Sequence, residues 1–295
     1  MINSLKDVND AYNDGRYYGS VIRKGATSSG FDSTWYDWAF TTGHPIYDVR
    51  LGPALSFTPY INTDNTSIWF PEISAGQTRY LANIDVQFAL SSTGQVGQTH
   101  MLYDLLGVYS LIDGESTDVQ TLTNVSTLPR YTSGVGVRAT MINHISPTVQ
   151  SGDGTLVYID DTDTQRTVSF RIGLFGINSV GLNGSTNSGV GRGYPWFPLA
   201  SGSKGVKSIV SLTFTTPPSG FWTIVLCYPI HYLSRWIDPL TINLFSPWTE
   251  YCMCYDNGYK FPIIPDGSAL NFYSLCTGGS RAVGGYFGQL TFVWK

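Results

Sequence analysis

Charge is what this sequence has least of. Only 13% of its 295 residues are Asp, Glu, Lys or Arg, about half of the roughly 25% usual in soluble domains. A surface so poor in charge suits a protein packed against copies of itself better than a dilute monomer. The formal net charge is -4, and no run clusters lysine and arginine, so no nucleic-acid partner is expected. No apolar stretch reaches the roughly 20 residues of a membrane span, so no membrane is expected either. Met1 to Ser20 is polar and lacks the apolar core of a secretory leader, which predicts synthesis and assembly in a cytoplasm.

Residues for chemistry are equally sparse. The only glutamates are Glu72, Glu115 and Glu250, and no acidic pair singles itself out for glycoside cleavage. His44, His100, His144 and His231 are far apart and lack metal-ligand spacing. No GxSxG, P-loop or HExxH occurs. Cys227, Cys252, Cys254 and Cys276 contain no CxxC and sit in apolar stretches, where they read as reduced, buried small hydrophobes. The acidic run Asp160, Asp161 and Asp163 is the most metal-like feature. It lacks the Gly and distal Glu of a calcium loop and reads as a turn between strands. The expectation is no enzyme, no cofactor and no metal.

Glycine and aromatics are what the chain does have: 32 Gly and 14% Phe, Trp and Tyr. Apolar residues alternate through Ala82, Ile84, Val86, Phe88 and Leu90, the period of a strand with one wet face. Val210, Leu212 and Phe214 repeat it. Phe221 to Tyr228 is continuously apolar and β-branched, as in a strand buried on both faces. Val135 to Ile142, Thr155 to Ile159, Thr167 to Ile172, Leu270 to Leu275 and Leu290 to Trp294 are further strands. Gln98 to Leu106 and Tyr232 to Ile237 are the best brief helices, each with a strand as the alternative.

Asp-Gly follows at Asp14, Asp113, Asp153 and Asp266, Asn-Gly at Asn183 and Asn257, and Pro217-Pro218-Ser219-Gly220 parts two strands. Asp153-Gly154 reads as a loop. Many short strands with Gly/Pro turns predict an all-β, jelly-roll-like antiparallel sandwich over residues 31–295, with one or two subdomains and a possible division near 180–195. Pro129 precedes Gly136-Val137-Arg138-Ala139 by seven residues, and Pro198 precedes Gly205-Val206-Lys207-Ser208 by the same interval. The echo fits either two related subdomains or reuse of one loop-to-strand chemistry.

Residues 1–30 lack a sustained period and read as an extended N-terminal arm, with one helical turn at Val8 to Tyr12. Such an arm is either mobile or pinned by a neighbour. Its Arg16, Tyr17, Tyr18, Arg23 and Lys24 combine cations with aromatic area, as interface anchors do, and are the contact candidates. The aromatic groups Trp35, Tyr36 and Trp38, Tyr194 and Trp196, and Trp248 and Tyr251 fit either core and interface or stacking on sugars.

Several segments resemble a family of tailed-phage structural proteins of the capsid decoration, or cement, kind. They are Leu111-Ile112-Asp113 leading to Leu128-Pro129-Arg130-Tyr131, Gly134-Val135-Gly136-Val137, Phe197-Pro198-Leu199-Ala200-Ser201-Gly202, and Pro265-Asp266-Gly267-Ser268-Ala269-Leu270-Asn271-Phe272, with the closing strand Gly288 to Trp294. They span residues from about 110 to the C-terminus. The resemblance implies a non-enzymatic virion protein on the outer capsid surface, a homotrimer whose partner is the major capsid protein. A tail or baseplate receptor-binding protein and a jelly-roll capsid protein are the alternatives.

Overall fold

The computed structural model of the chain describes residues 2–25, 35–46, 48–62, 66–90, 97–144, 151–173, 182–183, 195–236, 250–253, 261–277 and 283–295. One helix, α1 (Leu5–Asn13), precedes β1 (Tyr17–Lys24), β2 (Trp35–Asp37), β3 (Gly43–His44), β4 (Phe57–Pro59), β5 (Arg79–Leu90) and β6 (Gly97–Asp113). Then follow β7 (Gln120–Thr121), β8 (Arg138–Asn143), β9 (Ser151–Asp160), β10 (Gln165–Gly173) and β11 (Leu182–Asn183). The last are β12 (Val206–Thr216), β13 (Phe221–Trp236), β14 (Glu250–Met253), β15 (Ala269–Thr277) and β16 (Val283–Trp294). All the strand ladders are antiparallel, and the protein is all-β.

The 17-residue β6 organises the molecule. It pairs with β13 along its whole length, with β15 over Gly97 to Leu105, and with β4 over Gly107 to Tyr109. Beyond these, β13 pairs with β8, β8 with β11, β11 with β2, and β2 with β15. The circuit returns to β6, so six strands close into a barrel. Closure removes the sheet edge that would otherwise present unpaired main-chain groups. Gln98 to Leu106 and Tyr232 to Trp236 therefore take the strand alternative; both lie in the ladder between β6 and β13.

Alternation along β6 sorts the cores. Met101, Tyr103 and Leu105 point into the barrel, where they meet Trp35, Ile142, Val225, Cys227 and Tyr273. Leu102 points outward, to Ile22, Ile84, Val86, Leu290 and Phe292 of the five-stranded sheet β14-β5-β16-β1-β3. Leu106, Tyr109 and Ile112 meet Leu156, Phe170, Ile209, Leu212 and Phe214 of the four-stranded sheet β10-β9-β12-β7. The barrel is thus flanked by two sheets, each burying one face on it. Burying each large apolar side chain contributes about 1.5–3 kcal/mol.

Some local expectations fail for identifiable reasons. In β12 the buried residues are Val206, Ile209, Leu212 and Phe214, while Val210 is half-buried; bulges against β9 shift the strand's parity twice before Leu212. Asp153-Gly154 is no loop but lies inside β9. A Cβ on Gly154 would come within 2.7 Å of the Phe170 ring and 2.4 Å of the Thr213 carbonyl, so glycine serves close packing there rather than a turn. At Asp14-Gly15 the expected turn does form, with Gly15 at φ 69°.

The N-terminal arm needs correcting. Ser4 caps α1 by accepting from the Asp7 amide, and the Asp7 carboxylate accepts in return from the Ser4 hydroxyl and the Asn3 amide. The helix buries Ala11, beside Tyr80, Ala82 and Val293, on the outer face of the five-stranded sheet. β1 then pairs with β16 over all eight residues and with β3 at Arg23 and Lys24. Residues 17–24 are a strand of this chain's own sheet and residues 5–13 a helix packed on it, and Ile22 supplies apolar area to the core beneath. The division expected near 180–195 falls largely outside the described residues; Leu182 and Asn183 lie within the barrel circuit. The two echoing segments enter strands of different sheets and meet where Val135 bridges Gly205.

Candidate functional site

A minority of the scarce charges are buried: Lys24, Asp37, Arg50, Arg79, Asp104, Arg130 and Asp160. Arg50, 1% exposed, enters the barrel cluster beside Asp37, 0% exposed, and Asp48. Its Nη1 donates to Asp48 Oδ2 at 2.7 Å and its Nη2 to the Tyr103 hydroxyl at 3.1 Å, while Nε stands 3.5 Å from Asp37 Oδ2. Tyr103 in turn donates to Asp37 Oδ1, which also accepts from the Ala39 amide. Burial pushes the Asp37 carboxyl up, and Arg50 opposes it. Lys24 donates to the carbonyls of Thr41 and Pro45, and burial pushes its ammonium down to about 8.

A second buried pair lies where two of the quoted sequence segments meet. Arg130 holds Asp104 with two parallel bonds, Nε to Oδ2 at 2.9 Å and Nη2 to Oδ1 at 2.8 Å. It also donates to the carbonyls of Leu105 and Tyr60. Asp104 accepts from the Ala269 amide as well. Tyr131 stacks on Tyr228, ring centroids 3.9 Å apart. The residues that carry the sequence resemblance here form a structural joint.

The other candidates for chemistry are also tied into structure. Asp160 accepts from the Thr162 hydroxyl, the amides of Thr162 and Thr164, and Arg166 Nε. Burial works against its charge, but these donors outweigh it and hold the carboxyl well below the usual range. Asp161 accepts from the Lys204 amide and Asp163 from Lys207. The acidic run is therefore a donor-filled turn, and among the described residues no three His, Cys, Asp or Glu converge.

His144 Nε2 meets the Thr223 hydroxyl, and burial lowers its pKa to about 4. His100 Nδ1 meets the Ser274 hydroxyl. Cys227 is buried and its thiol pushed far up, which leaves it inert. The side chains of Cys252, Cys254 and Cys276 lie outside the description. Trp35, Trp38 and Trp196 are buried and fill cores; Tyr194 and Trp248 lie outside the described residues.

The five contact candidates separate by strand parity. Lys24 is buried and Tyr18 turns inward, edge-on to Trp69 at 5.2 Å. Arg16 is half-buried, donating to the Trp294 carbonyl and to Asp14. Tyr17 and Arg23 remain on the outer face. Two residues the sequence reading missed join them: Val21, 51% exposed, and Phe287, 53% exposed. Register places Phe287 opposite Arg23 and diagonal to Val21, and Tyr12 packs on Tyr17 at 4.6 Å between centroids. Helix α1 covers one part of this sheet face; beside it Tyr17, Val21 and Phe287 stand exposed, with Arg23 and Gln289 among them on the same face. The alternation in β1 could have pointed to Val21, but Tyr17, Tyr18, Val21 and Ile22 put apolar residues on both faces.

No family model and no curated protein matches this chain. Among solved structures, infectious bursal disease virus of the Gt strain overlays with a TM-score of 0.21 and 7% identity, over 94% of this chain and 78% of that one. The infectious bursal disease virus VP2 subviral particle gives a TM-score of 0.17 and 9% identity, over 94% and 80%. Overlaps this slight establish neither a shared fold nor a shared role.

Proposed function

We propose that this chain is a non-enzymatic virion structural protein that decorates a capsid lattice. The observation that carries the reading is the apolar area left exposed on the outer face of the five-stranded sheet. Tyr17, Val21 and Phe287 stand exposed on one face of the β1–β16 pair, and Tyr12 of helix α1, also exposed, packs on Tyr17. Exposed apolar area on a regular element is a ready contact surface. Arg23 and Tyr17 on it are of the residue types that anchor interfaces. Between Tyr17 and Ile22 the side of β1 away from β16 pairs with no described strand, so main-chain groups there are available for strand addition. The partner would be the major capsid protein, and the chain itself a homotrimer on the outer surface, assembled in the host cytoplasm. Many equivalent weak contacts across a lattice would add to a durable clamp.

The test is quantitative mass spectrometry of purified virions that carry this chain. A copy number comparable with that of the major capsid protein supports decoration. A number typical of a tail or a single vertex favours a receptor-binding protein, and absence from the particle contradicts a virion role.

A further inference from the structure

A groove of about 320 Å³ opens between the loop after β7, the turn at Thr132 and the β9–β12 pair, within the lower range of small-ligand sites. Its apolar lining is Val125, Leu128 and Ile159. Its polar lining is rich in hydroxyls: Ser126, Thr127, Thr132 and Ser208. The groove is held in shape. Asn124 accepts from the Tyr109 hydroxyl and donates to the Ile209 carbonyl, which fixes one wall. Lys207 donates to Asp163 at 2.7 Å, with its side chain 23% exposed. Gly134, at φ 77°, has no Cβ to displace the Lys207 stem, which a Cβ would approach to 2.7 Å. The Ser126 hydroxyl is buried and has no hydrogen-bond partner.

We propose that this groove binds a neutral saccharide. Lys207 and Asp163 cancel in charge, so neither an anion nor a cation gains net attraction. Each hydroxyl of the lining both donates and accepts, as each hydroxyl of a sugar does. The ammonium and the carboxylate add one charged donor and one charged acceptor for the same partners. The apolar side chains of the lining suit the C–H face of a ring. No aromatic residue lines the groove, so single-site affinity is weak. The inference stands apart from the virion reading, because the isolated chain suffices to test it.

The experiment is saturation-transfer NMR on the full chain with maltose, lactose and N,N′-diacetylchitobiose, and with N-acetylneuraminate and inorganic phosphate as anionic probes. At least one neutral disaccharide should show saturable transfer. Lys207→Met should weaken it at least about tenfold, the loss of a charged hydrogen bond. Thr132→Trp, at an exposed turn, should block it and leave the melting temperature unchanged. The proposal is overturned if no neutral disaccharide binds, if only the anions bind, or if Thr132→Trp binds as the wild type does. Should Lys207→Met fail to fold, the tryptophan variant decides alone.

Discussion

The buried charge pairs and the open part of the five-stranded sheet use residues in opposite ways. Asp37 and Arg50 within the barrel, and Asp104 and Arg130 against the outside of its wall, are nearly or wholly sequestered and paired. Outside, Val21 and Phe287 stand half in solvent on a strand pair that could hold polar residues at no structural cost. Buried pairs stabilise little against well-packed apolar substitutes, yet removing one partner is costly. The contrast teaches that a few buried ion pairs tie strands to their neighbours, while some apolar area is left on the outer sheet face.

The largest expected effect comes from deleting residues 1–25. This removes β1 from beside β16 and exposes the core around Ile22. The truncated chain should lose its cooperative thermal transition and its near-ultraviolet circular dichroism; a wild-type transition would return the segment to the status of an arm. Next is Arg130→Ala, which strands Asp104 and should cost about 3–5 kcal/mol in denaturant unfolding. The double change Arg130→Met with Asp104→Leu should recover much of that loss. A single variant as stable as the wild type would mean the buried pairs do not hold the barrel.

A smaller effect is set by pH. Burial lowers the His144 pKa from 6.5 to about 4, so its contribution is fully present above pH 6.5. It is lost as pH falls toward about 4, because the unfolded chain takes up the proton first. Wild-type stability should therefore drop across that window by up to about 3 kcal/mol more than that of His144→Gln. Parallel profiles of the two proteins would show that His144 is not desolvated. The smallest effect on stability should come from Val21→Ser with Phe287→Ser, within about 0.5 kcal/mol per surface site, since both side chains are already exposed.

Much of the strand content was legible, because alternation in β5, continuous apolar character in β13 and the Asp14-Gly15 turn are local signals. The barrel was not. It closes through β11, two residues long, and through pairings between segments far apart in sequence, such as Trp35 with Leu275. β12 misled because bulges break its period, and β6 because Gly107 and Asp104 interrupt a strand pattern; Gly107 is there to admit the Phe57 ring. Of the proposed contact residues, Tyr17 and Arg23 were chosen by residue type and lie on the outer face. Lys24 and Tyr18 were chosen by the same criterion and lie on the inward face, since residue type carries no parity. Arg50 and Arg130 gave no local sign that each would find a buried carboxylate.

The most direct test of the account is incorporation of Tyr17→Ser/Phe287→Ser into virions assembled without the wild-type chain, with copy number read by mass spectrometry. The account predicts a chain that melts as the wild type does but is depleted from particles at least about tenfold, the equivalent of about 1.4 kcal/mol of contact energy. Incorporation at the wild-type level by this folded variant would contradict the claim that the exposed sheet face is what binds the lattice.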